Sequence, residues 1–483
     1  MGSDPSIPAN SGESGGSAST GGDGTATAYT VTATVTGLTG QGLVLDLNGN
    51  QVVPVAFDGT VVFPTALSAG SAYTVSVETP PSTQREICGV SNGSGTIAQA
   101  NVTNVAINCS VVVGFLYEVT YNNQLLSYGI SAGTGAPVPF GTPLATGANS
   151  LNLVTAPGGN FLYLGTPFDV VGTELPGSIS VYAVDPATGS LTAVSTVITT
   201  GLNPGRMVMS PGGFLFVYGS QGQPTPPATS PDTLATYAVD AATGALTPTG
   251  TSLTLAYQGG TSLAVTPDGR FLYVLSGNFG SNTPAPVTLT AYAIDPVTGA
   301  LTAGPTLVST TDLLAETMAM DPLGRFLYLT SSQTTPLTVG ATILPYAINS
   351  ATGALTAIGT GTPIVSNADA IAADPTGHYL YVINNYNVTA ANESVMALAV
   401  DQSSGVVSPL GAALLTAGAP ATILCDPSGQ FVYIGTDASE FTPTSSLLAF
   451  TISTEAATAG QLTPSGQAAS PAALYGHTLA IVE

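Results

Sequence analysis

Arg206, Glu316, Asp369 and His477 stand at one recurring place in the chain. The first three lie five or six positions before a proline (Pro211, Pro322, Pro375) that closes a short apolar run, and His477 takes the same register before Glu483. A carboxylate or an imidazole can take a proton from water, and a guanidinium can hold the oxyanion that forms when that water attacks a carbonyl carbon. In such chemistry Glu316 or His477 would be the base and Arg206 the oxyanion group. Only 6% of the residues are charged, so four ionisable groups in one register are a concentration, and burial beside an arginine would tune the carboxylates. The alternative is that these groups are solvated or pair to fix neighbouring elements.

The elements that must position them repeat. Thr261 to Leu301, TSLAVTPDGRFLYVLSGNFGSNTPAPVTLTAYAIDPVTGAL, contains four short apolar runs separated by turns. Pro267 fixes φ and Gly269 supplies a positive φ, while Asp295 can bond its own turn and Gly299 can close it. Four strands in an antiparallel meander follow. The second run recurs with its aromatic at Tyr117, Tyr163, Phe216, Tyr273, Tyr328, Tyr381 and Tyr433, at a spacing of about 46 to 57 residues. A lone twisted sheet of this kind cannot bury both faces, so seven copies stacked radially predict a seven-bladed β-propeller. In that fold the innermost strands line a central channel, and the register above brings the four ionisable groups to its mouth.

The ends of the array predict how the ring closes. The innermost run precedes six of the aromatics as SLNLVTAP, RMVMSP, SLAVTP, TMAMDP, AIAADP and TILCDP, but nothing of the kind precedes Tyr117. The missing run is HTLAIVE, His477 to Glu483, which should become the innermost strand of the first blade.

Composition narrows the partners. All four cations are arginines (Arg85, Arg206, Arg270, Arg325), lysine is absent and the net charge is −23, a surface that repels nucleic acid and anionic headgroups. No apolar run reaches the ~20 residues of a helical membrane span. Cys88 and Cys109 enclose a short β-rich segment and are expected to form a disulfide, while Cys425 falls in an innermost strand as a buried thiol; together they suggest a compartment outside the cytoplasm. The alternative is three unpaired buried thiols.

Three regions follow from the same reading. Residues 1–28 are Gly, Ser, Thr, Asp and Pro with little that is apolar, a flexible tether. Residues 29–110 form a small β-sandwich of immunoglobulin-like character, from the alternating runs YTVTATV, LVLDL, VVPVAF, TVVFP, YTVSVE and VTNVAINC. Asn48-Gly49 between two of them is a hairpin turn; Gln51 and Phe57 stand where a calcium loop from Asp46 needs Gly and Glu. Residues 111–483 are the propeller.

PDGRFLYV, PLGRFLYL, PTGHYLYV and YAIDPVTGAL resemble the repeats of lactonase-type seven-bladed propellers, the group of bacterial 6-phosphogluconolactonase and the carboxymuconate-lactonising enzymes, and also the YVTN repeats of surface proteins. The resemblance covers essentially the whole propeller. It implies a site at the channel mouth, where those enzymes carry an Arg-His pair; NPGRMVMSPGG keeps Arg206 but follows it with Met207, and AETMAMDPLG has Glu316-Thr317. YTVTATVTGLTGQGLVLDLNG and SAYTVSVETPPSTQREICGVSNGSGTI resemble a module of exported bacterial lipoproteins. Met1-Gly2-Ser3 and the linker after it are similar to the start of a processed lipoprotein, with Met in place of the lipidated Cys. That implies a periplasmic or outer-surface location with membrane contact only through a lipid anchor.

Other chemistries lack the residues. With His378 and His477 the only histidines, no multi-histidine zinc or haem site can be built, and a Ser-His-Asp triad would have to use one of the two. His378 reads as a solvent-facing turn residue, the blade aromatics read as core, and no phosphate-binding loop leads into a helix. The loops between second and third strands carry Asp169, Glu174, Asp232, Glu393, Asp437, Glu440 and Tyr386. They suit a polar ligand, a protein partner or calcium, with no cofactor required. The leading expectation is a tethered, exported propeller that binds or scaffolds a protein or polar ligand. Lactone hydrolysis at the channel mouth is the alternative.

Overall fold

Alternating apolar and polar residues between Gly- and Pro-containing turns leave the chain one kind of regular element, and every regular element among the described residues is a β-strand. The computed structural model describes residues 27–82, 84–120, 122–147, 150, 152–167, 177–199, 203–220, 232–255, 260–276, 287–309, 313–333, 341–364, 368–385, 393–416, 418–437, 445–469 and 478–483. The expected tether falls almost entirely outside them.

From residue 113 onward the strands form seven blades around one axis. Each is an antiparallel meander running outward in chain order, as in Gly260–Val265, Phe271–Ser276, Val287–Ile294 and Leu301–Ser309 of blade 4. Blade 1 alone joins both ends of the ring. Thr478–Val482 pairs antiparallel with the outer half of Val102–Thr120, Val482 opposite Phe115 and Thr478 opposite Val119, so the C-terminal run is the innermost strand of the first blade as its sequence implies.

Two aromatics per blade hold the ring. The first residue of each second strand lies against a glycine in the outer turn of the next blade: Phe115 on Gly189, Phe161 on Gly244, Phe214 on Gly299, Phe271 on Gly353, Phe326 on Gly405, Tyr379 on Gly460, and Phe431 on Gly135, which returns to blade 1. Gly189 shows why glycine is needed. Its φ is +69° and a Cβ there would lie 2.4 Å from the Phe115 ring. Two residues further on, the Tyr117, Tyr163, Tyr273, Tyr381 and Tyr433 hydroxyls donate to the carbonyls of those same glycines at 2.7–3.0 Å. These rings are fully buried, so the aromatics are core, as expected.

The N-terminal region is two main sheets over a shared core of Val31, Leu45, Phe63, Tyr73 and Ile107, with a short pair of Ala28–Tyr29 and Leu67–Ser68 beside them. Asn48 and Gly49 take φ of +59° and +72° in the hairpin joining Leu43–Leu47 to Gln51–Val55. The Asp46 carboxylate accepts from the N–H groups of Gly49 and Gln51, which spends it on the turn. Cys88 and Cys109 sit opposite one another on paired strands and form a disulfide.

No linker separates this region from the ring. Val102–Thr120 is one strand whose first half pairs with Val31–Thr36 and Glu86–Ser91 and whose second half pairs with blade 1, so the boundary expected at 110/111 falls inside it. Arg85 spans the junction, donating to the Val113 carbonyl at 3.1 Å with its guanidinium 4.5 Å over the Phe115 ring.

Candidate active site at the channel mouth

The buried aromatics fix the register of the channel. Val154 pairs with Tyr163, Val208 with Phe216, Ala264 with Tyr273 and Ala480 with Tyr117. Two residues before those positions stand Asn152, Arg206, Ser262, Thr317, Ala370, Thr422 and Thr478, which open the innermost strands of blades 2, 6 and 1 and lie two to four residues inside those of blades 3, 4, 5 and 7. The innermost strands contact their neighbours all the way round, so these positions make one rim. In four blades the register shifts at this point, between Pro204 and Arg206, Gly260 and Ser262, Ala315 and Met318, and Pro420 and Thr422. Bulges of this kind re-aim a side chain at the edge of a sheet.

Of those seven rim residues only Arg206 is charged. Its side chain meets water in the channel, yet protein surrounds the channel, and that burial lowers its pKa from the ordinary value. The Asn152 side chain donates to the Gly205 carbonyl, tying blade 2 to the backbone that carries Arg206. Ser262 accepts from the Met318 N–H at 3.2 Å, a similar tie between blades 4 and 5. The other three arginines have structural work. Arg85 holds the sandwich to blade 1; Arg270 donates to the Ser350 carbonyl at 2.8 Å; Arg325 pairs with Asp321 at 2.8 Å and donates to the Gln402 carbonyl at 3.2 Å.

Asp369 lies one position before Ala370, just ahead of the innermost strand of blade 6 and three blades round the ring from Arg206. It is exposed, and its N–H donates to the Ile383 carbonyl at 3.0 Å. Arg206 and Asp369 thus reach the same end of the channel. Glu316 belongs to the innermost strand Leu313–Met320 of blade 5, but its side chain, like the whole of His477, lies outside the described residues. Met207, which follows Arg206, is buried in the core between blades 2 and 3. His378 is exposed at its turn, its Nδ1 2.9 Å from the Thr376 hydroxyl.

Toward the other end the channel widens on the side of blades 7, 1, 2 and 3 into a cavity of about 580 Å³. Its wall is mainly apolar, with Leu153, Val154, Met209, Leu424, Leu479 and Ile481, besides Thr155, Ser210 and Cys425. Burial pushes the Cys425 thiol up, and the nearby Asp374 and Asp426 add to it, so this cysteine is held as the thiol.

Three acids expected on exposed loops are in strands instead. Asp232 opens Asp232–Val239, Glu393 opens Glu393–Val400 and Asp437 ends Phe431–Asp437, and all three are buried. The apolar runs extend one residue further than their apolar letters suggest, and Tyr218 donates its hydroxyl to Asp232. Asp169, Glu174, Tyr386 and Glu440 lie outside the described residues. Among the described residues no group of three or more His, Cys, Asp or Glu side chains could hold a metal.

A ring of seven blades with a polar channel mouth defines the class, and comparison with known proteins agrees. The family model for lactonase, 7-bladed β-propeller, matches residues 138–259 and 327–463, more than half of the chain, which therefore belongs to that family. Among solved structures, the periplasmic gluconolactonase of Pseudomonas aeruginosa is 19% identical with a TM-score of 0.57, covering 77% of this chain and 99% of that one. A Bacteroides fragilis protein assigned as a 6-phosphogluconolactonase is 19% identical with a TM-score of 0.53, covering 74% and 98%. A Lactobacillus plantarum protein is 17% identical with a TM-score of 0.57, covering 77% and 99%. At such identities the structures share the fold. No curated protein matches the sequence. The family match favours the lactonase alternative over the leading expectation of a binding scaffold.

Proposed function

We propose that the protein is a lactone hydrolase acting at the channel mouth. The observation that carries this is Arg206, the one charged side chain among the seven equivalent rim residues, in a propeller of the lactonase family. A guanidinium in a partly desolvated channel is a strong partner for an oxyanion. Water adds to the lactone carbonyl carbon, its proton passing to a carboxylate one position before the rim, for which Asp369 and Glu316 are the candidates. The carbonyl oxygen, now anionic, is held by Arg206. The ring C–O bond then breaks, the ring oxygen takes the proton back, and a hydroxy acid leaves as its carboxylate.

The periplasmic gluconolactonase relative and the Cys88–Cys109 disulfide support an exported location. The reading is tested by hydrolysis of a panel of lactones by the parent protein and by Arg206→Ala. We expect kcat/KM to fall about 100-fold or more in the variant, the usual cost of one oxyanion donor, with the unfolding midpoint unchanged. Equal turnover by the two proteins, or none by the parent, refutes it.

A further inference from the structure

We infer that the substrate is a neutral lactone carrying an apolar chain, with the ring at the Arg206 rim and the chain in the cavity below it. This rests on the lactonase reading and narrows it to a substrate class. Two independent observations carry it.

The first is charge. A phosphate monoester brings about −1.5 to −2 charges at pH 7 and is recognised by several cations or N–H groups converging on it. The chain has no lysine and four arginines, three of which are bound at the junction with the N-terminal region and against the outer turns of blades 5 and 6. Only Arg206 stands in the rim, where it is already assigned to the carbonyl oxygen, in a protein of net charge −23. A phosphorylated sugar lactone would meet repulsion and no second cation. A neutral lactone enters without that penalty, and its carboxylate product is repelled once formed.

The second is the lining. The cavity of about 580 Å³ is walled by Leu153, Val154, Met209, Leu424, Leu479 and Ile481, with few groups to hydrogen-bond a sugar. On the strand that carries Arg206 the wall begins at Met209, three residues along, about 10 Å at the rise of a strand. A ring held at Arg206 would reach it with a tail of about that length. Burying each methylene contributes enough to raise kcat/KM about fourfold, provided the gain is kept in the transition state.

The test is a series of γ-lactones with unbranched tails from ethyl to octyl, beside a sugar lactone and its phosphorylated form. The parent protein, Leu424→Asn and Thr155→Phe are compared. The first variant makes the wall polar, the second fills the cavity, and neither touches the rim; having two guards against one failing to fold. We expect kcat/KM to climb with tail length in the parent, to flatten in either folded variant, and to be lowest for the phosphorylated sugar. Arg206-dependent hydrolysis that is flat in tail length, or fastest on the phosphorylated sugar, overturns this inference and leaves the lactonase reading standing. Absence of hydrolysis for every member overturns both.

Discussion

Tyr273 and Tyr328 occupy the same place in successive blades but differ at one atom. The Tyr273 hydroxyl donates to the Gly353 carbonyl at 2.9 Å, whereas the Tyr328 hydroxyl is buried with no partner. A buried hydroxyl that finds a partner contributes about 1 kcal/mol, and one that does not costs desolvation. Tyr273→Phe should therefore lower stability by about 1 kcal/mol, and Tyr328→Phe should leave it unchanged or raise it; the midpoints of urea unfolding of the two variants decide. The outer turns supply a second contrast. Asp401 accepts from the N–H and hydroxyl groups of Ser403 and Ser404, which holds its pKa at about 2, while Asn349 accepts the corresponding N–H bonds in blade 5 without a charge. A pKa lowered by folding gives stability that is complete above the ordinary value of 3.8 and is lost as pH falls toward 2. Asp401→Asn should keep the turn, as Asn349 does, and lose less stability than the parent between about pH 4 and pH 2; parallel curves of unfolding midpoint against pH would show that the carboxylate is unperturbed. Arg206 was legible in the sequence from its register before Pro211. Its status as the charged member of the rim was not, because the work of Arg85, Arg270 and Arg325 depends on carbonyls 28, 80 and 77 positions away in sequence. The bond by which Asn152 ties down the backbone at Gly205 leaves no sign in the sequence for the same reason.

At the scale of the strand, closure rests on five residues. Thr478–Val482 covers the edge Phe115–Val119 and buries Leu479, Ala480 and Val482 against blades 1, 2 and 7. Removing residues 478–483 would expose that edge and three apolar side chains, at about 1.5 to 3 kcal/mol for each large one. We expect a large fall in the urea midpoint together with association in size-exclusion chromatography, since an open edge pairs with other chains. A truncated protein that is monomeric and as stable as the parent would show that the ring does not depend on this strand. The meanders were readable because period-2 patterning and Pro-Gly turns are local signals. The strand Val102–Thr120 runs through the boundary expected at 110/111, and the chain itself does not break there. What changes is the partner, from Glu86–Ser91 to Gln124–Ser131, and partner exchange leaves no mark on alternation. The bulges at the rim were invisible too, being a property of two strands at once.

The whole molecule is held by neutral contacts against its own charge. The core clusters repeat blade by blade and the glycine–aromatic contacts pass from each blade to the next, while 27 acidic side chains face at most four arginines. Ion pairs are therefore few, and the long-range electrostatic energy of the folded state is mostly repulsion between carboxylates. Unfolding relieves that repulsion by moving the charges apart, so low salt should destabilise this protein. Raising sodium chloride from 0.01 to 0.15 M shortens the screening length from about 30 to about 8 Å. Across that range the urea midpoint should rise. The opposite slope would mean that attractive pairs outweigh the repulsion, which four cations in 483 residues make hard to arrange. The same field bears on the proposed hydrolysis, because screening that stabilises the fold would also weaken the expulsion of a carboxylate product. If product release limits turnover, kcat should fall over the same salt range in which stability rises, and stopped-flow release of a fluorescent hydroxy acid would separate the two effects.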